Sequence, residues 1–223
     1  MISCDGKLGV IFDFDGVLVD SGWAHRQAWH DLAEEEDLDM SDAFFSATFG
    51  MQNDTILPML RPDITKGDLE RLSNWKEQRY RDLVASRPEP GEGVMALLDD
   101  LKAKGFKMAI GSSAPRANVE VFRDALQLDR HVDVCVTKEQ VSAGKPSPQT
   151  FLKAAELLSL PPACCAVVED AVHGVEAGKA GGMPVVAVTT TRTREELVLA
   201  DRVVDSLAEL NGEDFLVLLG QET

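Results

Sequence analysis

What most constrains this chain is an alternation. Short runs of Val, Ile and small apolar residues recur at 8–14, 107–111, 164–168 and 184–188, with a weaker run at 132–136. Between them lie VMALLDDLKAKG, RANVEVFRDALQL, PQTFLKAAELLSL and AVHGVEAGKAGG, each with apolar residues three and four apart, the spacing of one helix face. Strands separated by helices of this length need crossover connections, which are right-handed and leave helices on both faces of a parallel sheet. The fold expected is therefore α/β, a doubly wound parallel sheet of Rossmann-like type. Ligands of such sheets bind beyond the carboxyl ends of the strands, so chemistry is sought in the residues that follow each run.

One interval breaks the alternation. From Gly22 to about Ser86 no strand pattern occurs, while WAHRQAWHDLAEEEDL, SDAFFSATFG, DTILPML and KGDLERLSNWKEQRYRDLVA all read as helical. The interval closes in SRPEPGEG, where Pro88, Pro90, Gly91 and Gly93 stop a helix and permit a bend. An all-helical cap domain at 21–87, inserted into a core formed by 1–20 and 88–223, is expected. A lid at that point of the chain would exclude water and select substrate.

Composition narrows the partners. In 223 residues, 38 acidic against 22 basic side chains give a net charge of −16, which opposes general binding to nucleic acid or to an anionic membrane. No stretch is long and apolar enough to span a bilayer, and MISCDGKLG lacks a signal-peptide pattern, so a cytoplasmic, monomeric protein is expected. Cys4, Cys135, Cys164 and Cys165 show neither CxxC spacing nor a disulfide-rich density. Cys164 and Cys165, within ACCAVV, read as buried strand thiols.

The residues after the runs form a set. Asp13 and Asp15 follow the first, Ser112 and Ser113 the second, Lys145 comes after the weak run, and Glu169 and Asp170 follow CCAVV. In a parallel sheet these converge at one edge, where up to four carboxylates would repel one another unless a cation sat among them. Hard oxygen donors without His or Cys suit Mg²⁺, which often also binds substrate phosphate. Each residue has a plainer reading: Asp13 and Asp15 as a strand-end turn, the serines as a cap for the helix near Pro115, Lys145 as an exposed lysine, and Glu169 and Asp170 as first-turn acids. Asp20 and Ser21 read as caps of the first inserted helix.

Taken in order, DFDGVLVDS, Ser112, Lys145 within GKP, and VEDAVHGVEAGKAGG resemble the four motifs of the haloacid dehalogenase superfamily. The helical insert resembles the cap of its β-phosphoglucomutase-like and phosphoglycolate phosphatase-like branch. The resemblance implies that Asp13 is a nucleophile forming an aspartyl-phosphate, and that Asp15 is the general acid and base. Asp13, the Asp15 carbonyl and Asp170 would hold Mg²⁺ with Glu169 in support, and Ser112, Ser113 and Lys145 would bind the phosphoryl group. The second aspartate, Asp15, favours phosphoryl transfer over carbon–halogen cleavage.

The same resemblance points to cap residues. His25 and Trp29, four apart, match a pattern in which the histidine positions the general acid, although both also read as ordinary cap residues. Lys76 falls where the branch carries a substrate-reaching lysine, or on a solvated helix face. Asn53 stands where the mutase carries a phosphate-gripping arginine, a change that removes a bidentate clamp. The expected activity is thus Mg²⁺-dependent hydrolysis of a small phosphorylated metabolite, a sugar phosphate. A phosphomutase and a non-catalytic phosphate-binding relative are the alternatives.

Overall fold

A computed structural model describes Cys4 and residues 6–221. Strands β1 (Gly9–Phe12), β2 (Lys107–Gly111), β3 (Val134–Val136), β4 (Cys165–Glu169), β5 (Val185–Val188) and β6 (Arg202–Val204) form one sheet in the order β3-β2-β1-β4-β5-β6. Every pairing is parallel. The chain runs outward from β1 to β3, then crosses to the other side of β1 for β4. That reversal is the topological switch point, where such sheets open a crevice at their carboxyl edge.

Both faces of the sheet are covered, which is why its strands read as unbroken apolar runs. Ile11, Ala109, Val136, Val167, Val185 and Ala187 pack on one side with Phe151, Ala154, Leu158 and Val175, from helices α7 (Gln149–Leu158) and α8 (Val172–Ala180). The alternating residues Val10, Phe12, Met108, Ile110 and Val168 are buried as well. The helices α5 (Val94–Ala103), α6 (Arg116–Ala125) and α9 (Gly212–Leu218) complete this unit. Among the described residues no helix is long and apolar enough to cross a membrane.

The chain divides into two units, 1–20 with 89–223, and 21–88. The second consists of α1 (Gly22–Glu36), α2 (Asp42–Thr48), α3 (Asn53–Leu60) and α4 (Lys66–Ala85). Its own core gathers Trp29, Leu32, Met40, Ile56, Leu57 and Leu72. Ser41 and Thr65 accept from the backbone N–H groups of Phe44 and Asp68 and so start α2 and α4. Ser21 precedes α1, but its side chain makes no capping hydrogen bond.

The reading of Cys164 as a strand thiol is corrected. Cys164 ends a 3₁₀ turn (Pro162–Cys164) just before β4 and is disulfide-bonded to Cys4. The cause is the register: Gly9 of β1 lies opposite Cys165 of β4, so the segments leading into these parallel neighbours run side by side although 160 residues separate the two cysteines. Cys135 and Cys165 are free thiols. Burial pushes them up to about 11 and about 12, which leaves them protonated and poorly nucleophilic at neutral pH.

Candidate active site

The strand ends at the switch point bring the core residues together. Phe12 pairs with Val168, so Asp13 and Glu169 each come one residue beyond that pair. The Asp13 N–H donates to the Val168 carbonyl at 2.8 Å, which extends strand pairing through the carboxylate-bearing residue. On the other flank the Ser112 N–H donates to Val136 at 2.9 Å. Lys145, from the loop preceding α7, places its Nζ 2.5 Å from Asp13 Oδ1 and 2.6 Å from Glu169 Oε1. The same ammonium lies 4.6 Å from the centre of the Phe151 ring, an attraction that adds to the ion pairs.

This site is buried and short of positive charge. Asp13, Glu169 and Asp170 each offer an oxygen within 4.8 Å of the others, and Lys145 pairs with the first two of them. Burial pushes the Asp13 carboxyl up to about 7, and the Glu169 charge adds to that against the pull of Lys145. Asp170 is raised well above the ordinary carboxylate value, by burial first and then by Glu169 and Asp13. Burial works to lower the Lys145 ammonium, yet the two carboxylates outweigh it and hold lysine above its usual value. Three acids sharing one ammonium want a second cation.

Counting acceptors shows where it fits. Both Glu169 oxygens are taken, Oε1 by Lys145 and Oε2 by the N–H groups of Asp170 and Ala171 at 2.7 and 2.8 Å. Asp170 Oδ2 accepts from the Thr191 hydroxyl at 2.5 Å. Asp13 Oδ2 and Asp170 Oδ1 receive no hydrogen bond from the described residues, and two such oxygens on acids that lie within 4.8 Å of one another through a carboxylate oxygen each suit a small divalent cation. Glu169 then serves by anchoring Lys145.

The remaining predicted residues have these places. Ser112 is buried and its Oγ accepts from the Ala114 N–H at 2.9 Å, while the Ser113 hydroxyl is a buried oxygen without a hydrogen-bond partner among the described residues. Helix α6 starts after Pro115 with no side-chain cap, so neither serine caps it. Asp15 bridges to Val19 in a tight turn that Gly16 enters at φ +83°, a conformation natural to glycine.

In the helical unit, Lys76 is 2 % exposed, which excludes a solvated face. Its Nζ lies 2.9 Å from both His25 Nδ1 and Glu77 Oε1, and it sits over the Trp29 and Tyr80 rings at 5.5 and 5.6 Å. Asn53 donates to the same Glu77 oxygen at 2.8 Å. His25 stacks on Tyr80 with centroids 4.0 Å apart. Trp29 belongs to the core of this unit. Glu77, which joins Asn53 to Lys76, was not singled out from the sequence; its mixed-charge neighbourhood in NWKEQRY hid it.

Three further residues escaped the sequence reading. Thr190 donates to the Gly16 carbonyl at 2.5 Å and Thr191 reaches Asp170; they follow β5, and the strand-end rule applied to VVAVTTT would have found them. Gly174 in α8 lies under Glu169: a Cβ there would come within 1.7 Å of Glu169 Oε1. Gly174→Ala is therefore expected to displace the Glu169 carboxylate and destabilise the protein by about 1–3 kcal/mol. Thermal unfolding measures the loss.

A doubly wound sheet with a buried triad of acids and a lysine at its switch point has the donor set of a metal-assisted active site. The chain belongs to the haloacid dehalogenase-like hydrolases, whose family model matches residues 10–188. It is 33% identical over 213 residues to a β-phosphoglucomutase of Bacillus subtilis, covering 92% of each chain. It is 30% identical over 184 residues to the fructose-1-phosphate phosphatase YqaB of Escherichia coli, covering 81% of this chain and 95% of the relative. A crystal structure of a β-phosphoglucomutase from Clostridium difficile superposes with a TM-score of 0.86 at 25% identity, over 96% of this chain and 97% of the other.

Proposed function

We propose that the chain is a Mg²⁺-dependent phosphatase that hydrolyses a small phosphorylated metabolite, a sugar phosphate, through an aspartyl-phosphate on Asp13. The observation that carries this reading is the buried group of Asp13, Glu169 and Asp170 with Lys145. Asp13, the Asp15 carbonyl and Asp170 would hold Mg²⁺, which when bound supplies the positive charge that lets an anionic substrate approach an anionic nucleophile. Asp13 attacks phosphorus. Asp15 gives its proton to the leaving alkoxide and then takes one from the attacking water. Lys145, Ser112 and the partnerless hydroxyl of Ser113 bind the transferring group's oxygens.

Substrate selection is assigned to the helical unit through His25, Asn53 and Lys76, with Trp29 packing beneath the lysine. Hydrolysis is preferred to mutase chemistry because Asn53 stands where a mutase carries a phosphate-gripping arginine, and a neutral amide supplies no bidentate charged clamp for a second phosphate. The phosphomutase reading has its own support in the 33% identical relative. A charged phosphorylated metabolite does not cross a membrane unaided, so the cytoplasm is the compartment that suits this enzyme, and we expect a monomer.

A panel of sugar phosphates incubated with Mg²⁺ separates the readings. Release of inorganic phosphate supports the phosphatase; isomerised sugar phosphate that depends on a bisphosphate primer supports the mutase. Neither product from folded, Mg²⁺-supplied protein refutes both. Asp15→Asn is expected to slow sugar phosphates by about 10²–10⁴-fold and aryl phosphates, whose leaving groups need no proton, far less; an equal loss would remove Asp15 as the acid.

A further inference from the structure

The loop after β5 reads TTTRT, and two of its hydroxyls are turned toward the strand ends that carry the acids. Thr191 Oγ1 lies 2.5 Å from Asp170 Oδ2 and 3.0 Å from the Asp170 carbonyl. A hydroxyl has one proton, and the closer, charged acceptor takes it. The same carboxylate oxygen rests over Gly16, where a Cβ would come within 2.1 Å of Oδ2 and 3.2 Å of Thr191 Cγ2. Thr190, next in the chain, donates to the Gly16 carbonyl, so the loop grips both the first-strand turn and the fourth-strand acid. Oδ2 is thus held in a slot of hydroxyl and glycine backbone, while Oδ1 accepts nothing from the described residues.

We infer that Thr191 is a positioning residue which makes Asp170 a one-oxygen ligand and thereby sets the preference of the site for Mg²⁺ over Ca²⁺. The inference rests on the metal-binding reading of Asp13 and Asp170. Its physical basis is the difference between the ions: Mg²⁺ requires compact octahedral coordination with single carboxylate oxygens, whereas Ca²⁺ accepts bidentate carboxylates and more ligands. A hydroxyl hydrogen-bonded to Oδ2 competes with an ion for that oxygen and fixes the rotation of the carboxylate, which leaves Oδ1 as the better placed ligand. Removing it lets Asp170 turn and chelate with both oxygens, a mode that favours the larger ion.

The test compares wild type, Thr191→Val and Thr191→Ser. Valine keeps the shape and removes the hydroxyl; serine keeps the hydroxyl. The midpoint of thermal unfolding is followed against Mg²⁺ and separately against Ca²⁺, since an ion that binds the folded state raises it by an amount that grows with the logarithm of its concentration relative to its dissociation constant. Thr191→Val is expected to weaken Mg²⁺ by at least about tenfold, the usual effect of removing an outer partner of a metal ligand, with Ca²⁺ weakened less or strengthened. Thr191→Ser should stay near wild type. Unchanged Mg²⁺ affinity in Thr191→Val, or an equal loss for both ions, overturns the positioning role and leaves the metal reading standing. Wild type that responds to neither ion overturns the metal reading and this inference with it.

Discussion

Asp13→Asn is expected to abolish phosphate release, with a loss on the order of 10⁴-fold or more, because an amide cannot attack phosphorus and no other residue substitutes for a missing nucleophile. The fold survives, since Asn is isosteric and Asp13 keeps its backbone bond to Val168. Stability provides a second readout. In metal-free protein burial pushes the Asp13 carboxyl up to about 7, against 3.8 for an exposed aspartate, so the folded state binds an extra proton between those values. Wild type therefore loses stability as pH rises through that window, by up to about 1.4 kcal/mol per pH unit. Asp13→Asn lacks this slope. Chelator-treated Asp13→Asn should unfold at higher temperature than wild type above pH 7, and the gap should close as pH falls toward 4. Retained turnover would refute the nucleophile; parallel pH profiles would refute the charge deficit.

Lys145→Met should give the largest loss of stability. The ammonium is buried with Asp13 and Glu169 at 2.5 and 2.6 Å, and removing one partner from a buried ion pair leaves carboxylates without compensation, at about 3–5 kcal/mol. For a protein of this size that is roughly 6–20 °C in the unfolding midpoint. Saturating Mg²⁺ should restore part of the loss, because both cations answer the same negative charge. Activity should not return, since Met cannot bind a phosphoryl oxygen. A midpoint within 2 °C of wild type, an allowance of roughly 1 kcal/mol, would show that the acids are relieved in another way.

Much of the core was legible because its signals are local. β1 and β4 announce themselves as apolar runs long enough for buried strands, and the acids that follow them stand out by contrast. β6 was not legible: RVV at a sheet edge is three residues flanked by Asp201 and Asp205, and edge strands carry charge for the same reason that they face water. Glu77 and Thr191 were hidden differently. Each is an ordinary residue in a polar segment, and its meaning comes from partners 24 and 21 residues away. Lys76 had two open readings until burial excluded one.

By itself the sequence determined the parallel sheet, the helical insertion and the convergence of Asp13, Lys145, Glu169 and Asp170, because periodicity and strand-end position are properties of short stretches of chain. Only the tertiary structure decided which carboxylate oxygens are already occupied. It also joined Cys4 to Cys164, seated Glu169 over Gly174 and gave Asp170 its threonine. Those are distances of a few ångströms between residues far apart in sequence, and they exist only once the packing of the sheet has fixed where each strand ends.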